Sequence, residues 1–318
     1  MALRPQPTAD TLTFAQLSDP HLTSLKGVRW SDLANKRLLG YLSWVRKRRA
    51  EHRPEVLDAL LRDLAALQPD HIVVTGDLTH IGVQDEFRQA RRWLERVGTP
   101  ARVTVVPGNH DSYAAAPWAQ SYLHWLPYLA SDQPDSAAAG ADVGTVFPSL
   151  RIRGPVAFIG VSSARPSAPL LAVGSVGAAQ RERLEHLLTE TGAAGLFRVV
   201  LIHHSPVPGD EKWRKRLTDA AEVSAIIRRR GAELVLHGHG HRAIESALET
   251  GGHPIPVIGI ASASAIGHKP GRAACYHLYQ VRRTESGWAL NVRVRGFRAD
   301  KAQFVAQGER SYSIPLGN

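Results

Sequence analysis

An α/β fold is the class this sequence predicts, and three observations carry it. Short apolar runs recur along the chain, each ending in polar residues. Segments with helical apolar spacing separate them. With 318 residues, 43% of them hydrophobic, the chain can bury a sizeable core. Continuous apolar runs read as strands covered on both faces. Strands alternating with helices assemble into α/β layers.

In chain order, residues 12–17 form the first run, before SDPH. Residues 54–67 read as a helix, with Pro54 near its start and Val56, Leu57, Leu60, Leu61 and Leu64 on one face. Residues 71–75 precede GDLTH and residues 103–106 precede PGNHD; both are strand-like, and 85–97 between them is helical. The stretch SDQPDSAAAGAD, residues 131–142, reads as a loop. Strands follow at 156–161 before SSARPS, 199–202 before HHSP and 234–236 before HGHGH. Residues 180–189 and 219–230 read as helices. Residues 275–281 and 288–294 flank a TESG turn, which predicts a C-terminal hairpin over about 273–297. No repeat or linker interrupts the pattern, so a single domain over 1–318 is expected.

The totals exclude several classes. Cys275 is the one cysteine, so no disulfide can form within the chain. Residues 1–13 carry Pro5, Pro7 and Asp10 without an apolar core, unlike a signal peptide. No run approaches the roughly 20 apolar residues that span a bilayer. A cytoplasmic location is the expectation. The net charge is +10, and residues 26–53 hold nine Lys/Arg against two acids, so +7 of it lies in one segment. A local basic patch of this kind suits an anionic partner.

The stretch VVPGNHDS, residues 105–112, stacks Asn109, His110 and Asp111 on a strand end. By itself it reads as a turn, because Pro, Gly, Asn and Asp are turn residues. Four other strand ends change that reading. Asp19 and His21, Asp77, His203, and His239 with His241 each follow an apolar run. Ligands gather beyond the carboxyl ends of strands in open α/β sheets, so positions far apart in sequence can converge.

Asp19-x-His21, Gly76-Asp77, Gly108-Asn109-His110-Asp111, His203 and Gly238-His239-x-His241 resemble the five motifs of the calcineurin-like metallophosphoesterases. The match runs over about residues 12–262. The resemblance implies two mixed β-sheets in a sandwich flanked by helices, with two divalent metals at one end. It implies that Asp19, His21 and His241 bind one metal, that Asn109, His203 and His239 bind the other, and that Asp77 bridges them. His110 would be the catalytic histidine and Asp111 would help fix it. Donors of nitrogen and oxygen only suit Mn first, with Fe, Zn or Co as alternatives. Two metals about 3.5–4 Å apart activate a hydroxide and hold a phosphoryl oxygen against it. His110 then serves the phosphoryl or leaving oxygen as acid or hydrogen-bond donor.

Other histidines are read more plainly. His204 and His237 neighbour ligands, with a supporting or purely structural role. His80 reads as a surface residue. Gly240 stands between His239 and His241 where relatives carry bulkier residues, which suggests a larger pocket.

Three features bear on the substrate, a phosphodiester or pyrophosphate. The pair His203-His204 in HHSP resembles the branch holding bacterial cyclic-nucleotide and glycerophosphodiester phosphodiesterases. The segment at about 30–50 reads as a basic amphipathic insert. Arg37, Leu38, Tyr41, Leu42, Trp44, Val45, Arg46 and Lys47 make it a candidate membrane-surface helix. A surface helix packed on the domain is the plain alternative. The segment EKWRKR offers Arg214 and Arg216, with His204, as substrate contacts. A basic insert in such an enzyme is similar to the UDP-2,3-diacylglucosamine pyrophosphatases of lipid A synthesis. That similarity implies a lipid-linked nucleotide at the inner membrane face, with peripheral attachment there. A soluble phosphodiesterase is the competing expectation. A nucleic-acid-binding protein or nuclease would use the positive charge, but no recognition helix or stacking motif is present. The aromatics Tyr113, Trp118, Tyr122, Trp125 and Tyr128 are read mainly as core.

Overall fold

The computed structural model describes residues 10–22, 24–133, 142–268 and 270–316. The strands are β1 (Thr11–Leu17), β2 (His71–Val74), β3 (Val103–Val105), β4 (Ser149–Arg153), β5 (Val156–Gly160), β6 (Phe197–Leu201), β7 (Leu234–His237), β8 (Ile244–Leu248), β9 (Ile255–Gly259), β10 (Cys275–Thr284), β11 (Gly287–Arg298) and β12 (Gln303–Pro315). They form two six-stranded sheets, ordered β12-β11-β10-β1-β2-β3 and β4-β5-β6-β7-β9-β8. Strands β1, β2 and β3 run parallel, as do β5, β6, β7 and β9. Strands β10, β11 and β12 extend the first sheet antiparallel from β1, and β4 and β8 pair antiparallel at the two edges of the second. Both sheets are therefore mixed, as the α/β sandwich reading requires.

The pleat explains why the central strands read as unbroken apolar runs. In β6, Phe197, Val199 and Leu201 face the layer between the sheets, with Phe14, Phe158 and Leu236. Val200 lies on the other face, against the helices Ala178–Ala193 and Ala220–Arg230. The helices Pro54–Leu67 and Gln84–Val97 cover the first sheet through Leu57, Leu60, Phe87 and Leu94. Residues 134–141 of the expected loop lie outside the described residues.

Strands β4, β8, β9 and β12 carry no clear signal in the sequence. Strand β9 contains Pro256, and β12 exposes most of its side chains. The strand β12 edge lengthens the expected hairpin into a three-stranded ribbon.

The basic insert packs more tightly than an amphipathic membrane helix would. It runs through a 3-10 turn at Trp30–Leu33, a helix at Arg37–Ser43, a π-helical turn at Trp44–Arg48 and a short helix at Arg49–Glu51. Trp44 is buried with Leu25, Leu33, Ile81 and Val83, and Tyr41 and Val45 pack on that cluster. A Cβ on Gly40 would meet Ile81 at 2.5 Å, so only glycine allows this approach. Arg37 donates to the carbonyls of Ile81 and Gly82, at 3.1 and 2.9 Å. Arg37, Tyr41, Trp44 and Val45 thus hold the insert to the protein and are withdrawn from the expected membrane face. Leu38, Leu39, Leu42 and Trp30 are exposed, as are Arg46, Lys47 and Arg49.

Candidate metal centre

All seven predicted ligands follow the carboxyl ends of parallel strands. Asp19 and His21 follow β1, Asp77 follows β2, Asn109 follows β3, His203 follows β6, and His239 and His241 follow β7. Hydrogen bonds across the sandwich pull these ends together. Gln16 donates to the His237 carbonyl at 3.0 Å, and the His239 N–H donates to the Asp19 carboxylate at 3.1 Å.

The loops are strained where the candidate ligands sit. Asp19, His21, Asp77, His239 and His241 all have left-handed φ, between 39° and 65°. Side chains rarely adopt that region, and such strain persists where the surroundings over-determine it. Glycines supply the remaining room. A Cβ on Gly108 would collide with the Asp77 carboxylate, and one on Gly238 with Ser18 and Asp19.

Donor atoms converge in two places, and at the first of them His52 also joins His21 and His241. Those of Asp19, His21, Asp77 and His241 lie within 4.8 Å of one another, and so do those of His203, His204 and His239. Asp77 Oδ2 stands between the groups, 3.3 Å from His203 Nε2 and 3.8 Å from His21 Nε2. Asn109 Oδ1 lies 3.2 Å from His203 Nε2. His241 Nε2 lies 3.1 Å from Asp19 Oδ1.

These residues fit a pair of divalent ions. His21 and His203 place Nδ1 against the carbonyls of Thr79 and Thr75, at 2.9 and 2.7 Å. Each Nδ1 is thereby committed to a carbonyl, which turns Nε2 toward the centre as the atom that would meet an ion. His239 Nε2 is buried without a hydrogen-bond partner in the protein. Burial and neighbouring imidazoles hold His21 and His239 well below the usual histidine range, hence neutral. At His203 burial works the same way, but the Asp77 carboxylate overcomes it and lifts the imidazole to about 9. The buried carboxylates thus draw a proton where a cation would serve them better.

His110 lies beside this centre. Its N–H donates to Asp77 Oδ1 at 2.7 Å, and its ring stacks on Tyr113 at 5.4 Å. Its Nδ1 lies 2.6 Å from the His80 carbonyl and 3.0 Å from Arg48 Nη1.

Five expectations are corrected here. Asp111 makes no bond to the His110 ring. It accepts the N–H groups of Asp77, Thr79 and Gly108, each at 2.9 Å, because those buried loop amides need an acceptor. Burial and the Asp77 charge push its carboxyl up to about 7. His80 is buried, with its ring stacked 5.3 Å from that of His21. His204 is fully buried, and both its nitrogens are engaged within the protein, 2.7 Å from Ser163 Oγ and 3.2 Å from the Ala172 carbonyl. Arg214 and Arg216 are exposed and turn to Trp213, one over its ring and one on its carbonyl. The space at Gly240 is filled rather than open, since a Cβ there would meet Glu211 at 2.7 Å.

Sequence reasoning missed Arg48 and His52. The His52 ring lies 4.6 Å from that of His21 and bonds Ser264 at 2.8 Å. Neither follows a strand, so neither carried the signal that located the ligands.

A family model described as calcineurin-like phosphoesterase matches residues 12–243. A crystal structure of a dimetal phosphatase from Danio rerio is similar in fold, with TM-score 0.57, 14% identity and coverage of 93% of this chain and 98% of that one. The NAD nucleotidase of Haemophilus influenzae is similar with TM-score 0.50 and 11% identity, over 94% of this chain and 54% of the longer nucleotidase. No protein of curated function matches the sequence itself.

Proposed function

Because this chain belongs to the calcineurin-like phosphoesterase family, and so is a hydrolase of phosphoester bonds, we propose that it cleaves a phosphodiester or pyrophosphate bond at the centre described above. In this reading Asp19, His21 and His241 hold one divalent ion, Asn109, His203 and His239 hold the other, and Asp77 reaches both. Manganese is the proposed ion, and the same donors accept iron, zinc or cobalt. The bound pair supplies Lewis-acid activation of water and of the phosphoryl oxygen. The observation that carries the reading is the position of Asp77 Oδ2 between His21 and His203.

The protein's own residues do the rest. Asp111 clamps the loops of Asp77 and Gly108 together, so the ligand positions are set before any ion arrives. The His80 carbonyl accepts a hydrogen bond from the Nδ1–H of the His110 ring. Its Nε2 is then the ring atom free to serve the leaving oxygen. Burial and the Arg48 charge hold the imidazole neutral, and a substrate phosphate beside it offsets both.

The proposed substrate is a lipid-linked nucleotide of the UDP-2,3-diacylglucosamine kind, taken from an anionic membrane at its cytoplasmic face. Exposed Trp30, Leu38, Leu39 and Leu42 beside exposed Arg46, Lys47 and Arg49 support it. Among the described residues no helix is long and apolar enough to cross a membrane. We propose the whole of 1–318 as a single domain. A soluble phosphodiesterase acting on cyclic nucleotides or glycerophosphodiesters is the second reading, favoured by the inward packing of Tyr41, Trp44 and Val45. The deciding experiment offers Mn²⁺-loaded protein a lipid-linked UDP-sugar, a cyclic nucleotide and a glycerophosphodiester side by side. Preference for the first supports the lipid reading. Preference for either of the others sinks it, and no turnover of any of them sinks the choice of bond.

A further inference from the structure

Arg48 belongs to the basic insert but turns away from its exposed neighbours Arg46, Lys47 and Arg49. The π-helical turn Trp44–Arg48 carries it toward the candidate metal centre. Such turns shift side chains out of α-helical register and recur at functional sites. Arg48 Nη1 ends 3.0 Å from His110 Nδ1. A guanidinium can only donate. The same ring nitrogen lies closer, at 2.6 Å, to the His80 carbonyl, which also needs a donor. One nitrogen cannot donate to the carbonyl and accept from the arginine together. With the proton on Nδ1, Arg48 points at the edge of an N–H. The Asp77 carboxylate attracts it electrostatically. A half-buried cation that faces an N–H instead of an acceptor is costly, and an anion relieves it. Lys36 adds a second charge on the same wall, over the ring of Tyr113 at 4.5 Å.

We infer that Arg48 is a phosphoryl-oxygen ligand: when a phosphoester enters, its guanidinium leaves the imidazole edge and takes the non-bridging oxygens, so the insert completes the substrate site. The inference rests on the phosphoester reading above and gives the insert a role in the chemistry, separate from any role at a membrane. A guanidinium fork suits two phosphoryl oxygens at once, which an ammonium does not.

The test compares wild type with Arg48→Gln and Arg48→Lys, all Mn²⁺-loaded, with metal content and thermal midpoint measured first. Inorganic phosphate is the probe for binding, and bis(4-nitrophenyl) phosphate the probe for turnover. Both variants are expected to keep their metals. Arg48→Gln should weaken phosphate binding and kcat/KM by about ten- to a hundredfold, the value of a charge-assisted pair. Arg48→Lys should recover part of the binding, and in a third variant, Arg48→Ala, millimolar guanidinium should restore part of the turnover, which a purely structural role would not permit. Unchanged phosphate affinity in Arg48→Gln with both metals bound overturns the assignment. So does a loss that only tracks lost metal. If Arg48→Gln does not fold, wild-type affinity in Arg48→Lys overturns it equally. A wild type that binds phosphate but cleaves no phosphoester defeats the enzymatic reading instead, and the affinity ratio still judges Arg48.

Discussion

Asp77 and His110 are joined by one hydrogen bond of 2.7 Å, yet their removal should separate two functions. Asp77 Oδ2 faces ligands of both groups, so Asp77→Asn takes a charge from each. Metal analysis after dialysis should fall from two ions per chain to one or none; two retained ions would remove the bridge. His110→Ala should keep both ions and lose at least about tenfold in turnover, the low end or below for a positioned acid. Unchanged turnover on a diester with a poor leaving group would take His110 out of the mechanism. The candidate ligands were legible one by one because each follows an apolar strand. His52, His80 and Arg48 were not, because they reach the centre from loops and from the insert.

At the scale of elements, the insert divides its work between two faces. The 3.6-residue period places Leu38, Tyr41, Leu42 and Val45 on one stripe. Packing splits that stripe: Tyr41 and Val45 turn to the cluster of Leu25, Leu33, Trp44, Ile81 and Val83, while Leu38 and Leu42 stay exposed. The basic run splits likewise, with Arg48 inward. Arg46, Lys47 and Arg49 are therefore the set to neutralise in a membrane test. Near an anionic surface each contributes about 1 kcal/mol, less at high salt. The triple change to Gln should weaken binding to anionic vesicles in co-sedimentation by up to about 3 kcal/mol, and leave turnover of soluble diesters unchanged. A parent protein that fails to sediment with anionic vesicles at low salt ends the membrane reading.

For the molecule as a whole, buried neutral histidines away from the centre tie stability to pH. Burial lowers His277 to about 4, and His71 lies well below its ordinary value for the same reason. His277 meets Tyr279 at 3.2 Å, and His71 meets Thr104 at 2.7 Å. Between a pH near 6.5 and about 4 the unfolded chain binds a proton that folded His277 refuses. Stability is thus present above about 6.5 and is lost as pH falls, at roughly 1.4 kcal/mol per pH unit for each such group. Denaturant unfolding of the metal-free protein should show a slope shallower by about that amount in His277→Gln. Parallel curves for the two proteins over this window would refute the linkage.

The sequence by itself determined the strands buried on both faces, the helices between them and the seven candidate ligand positions. The reason is local: an apolar run with the right period must be buried, and polar residues directly after it must lie at the strand's end. The helix Pro54–Leu67 matches its sequence bounds for that reason. Only the tertiary structure decided the edges and the surroundings of the site. Strands such as β12 owe their form to neighbours rather than to burial of their own side chains. The inward turn of Arg48, the clamping of loops by Asp111 and the filled space at Gly240 depend on which segments meet. Those meetings join residues tens to hundreds of positions apart, and no period along the chain encodes them.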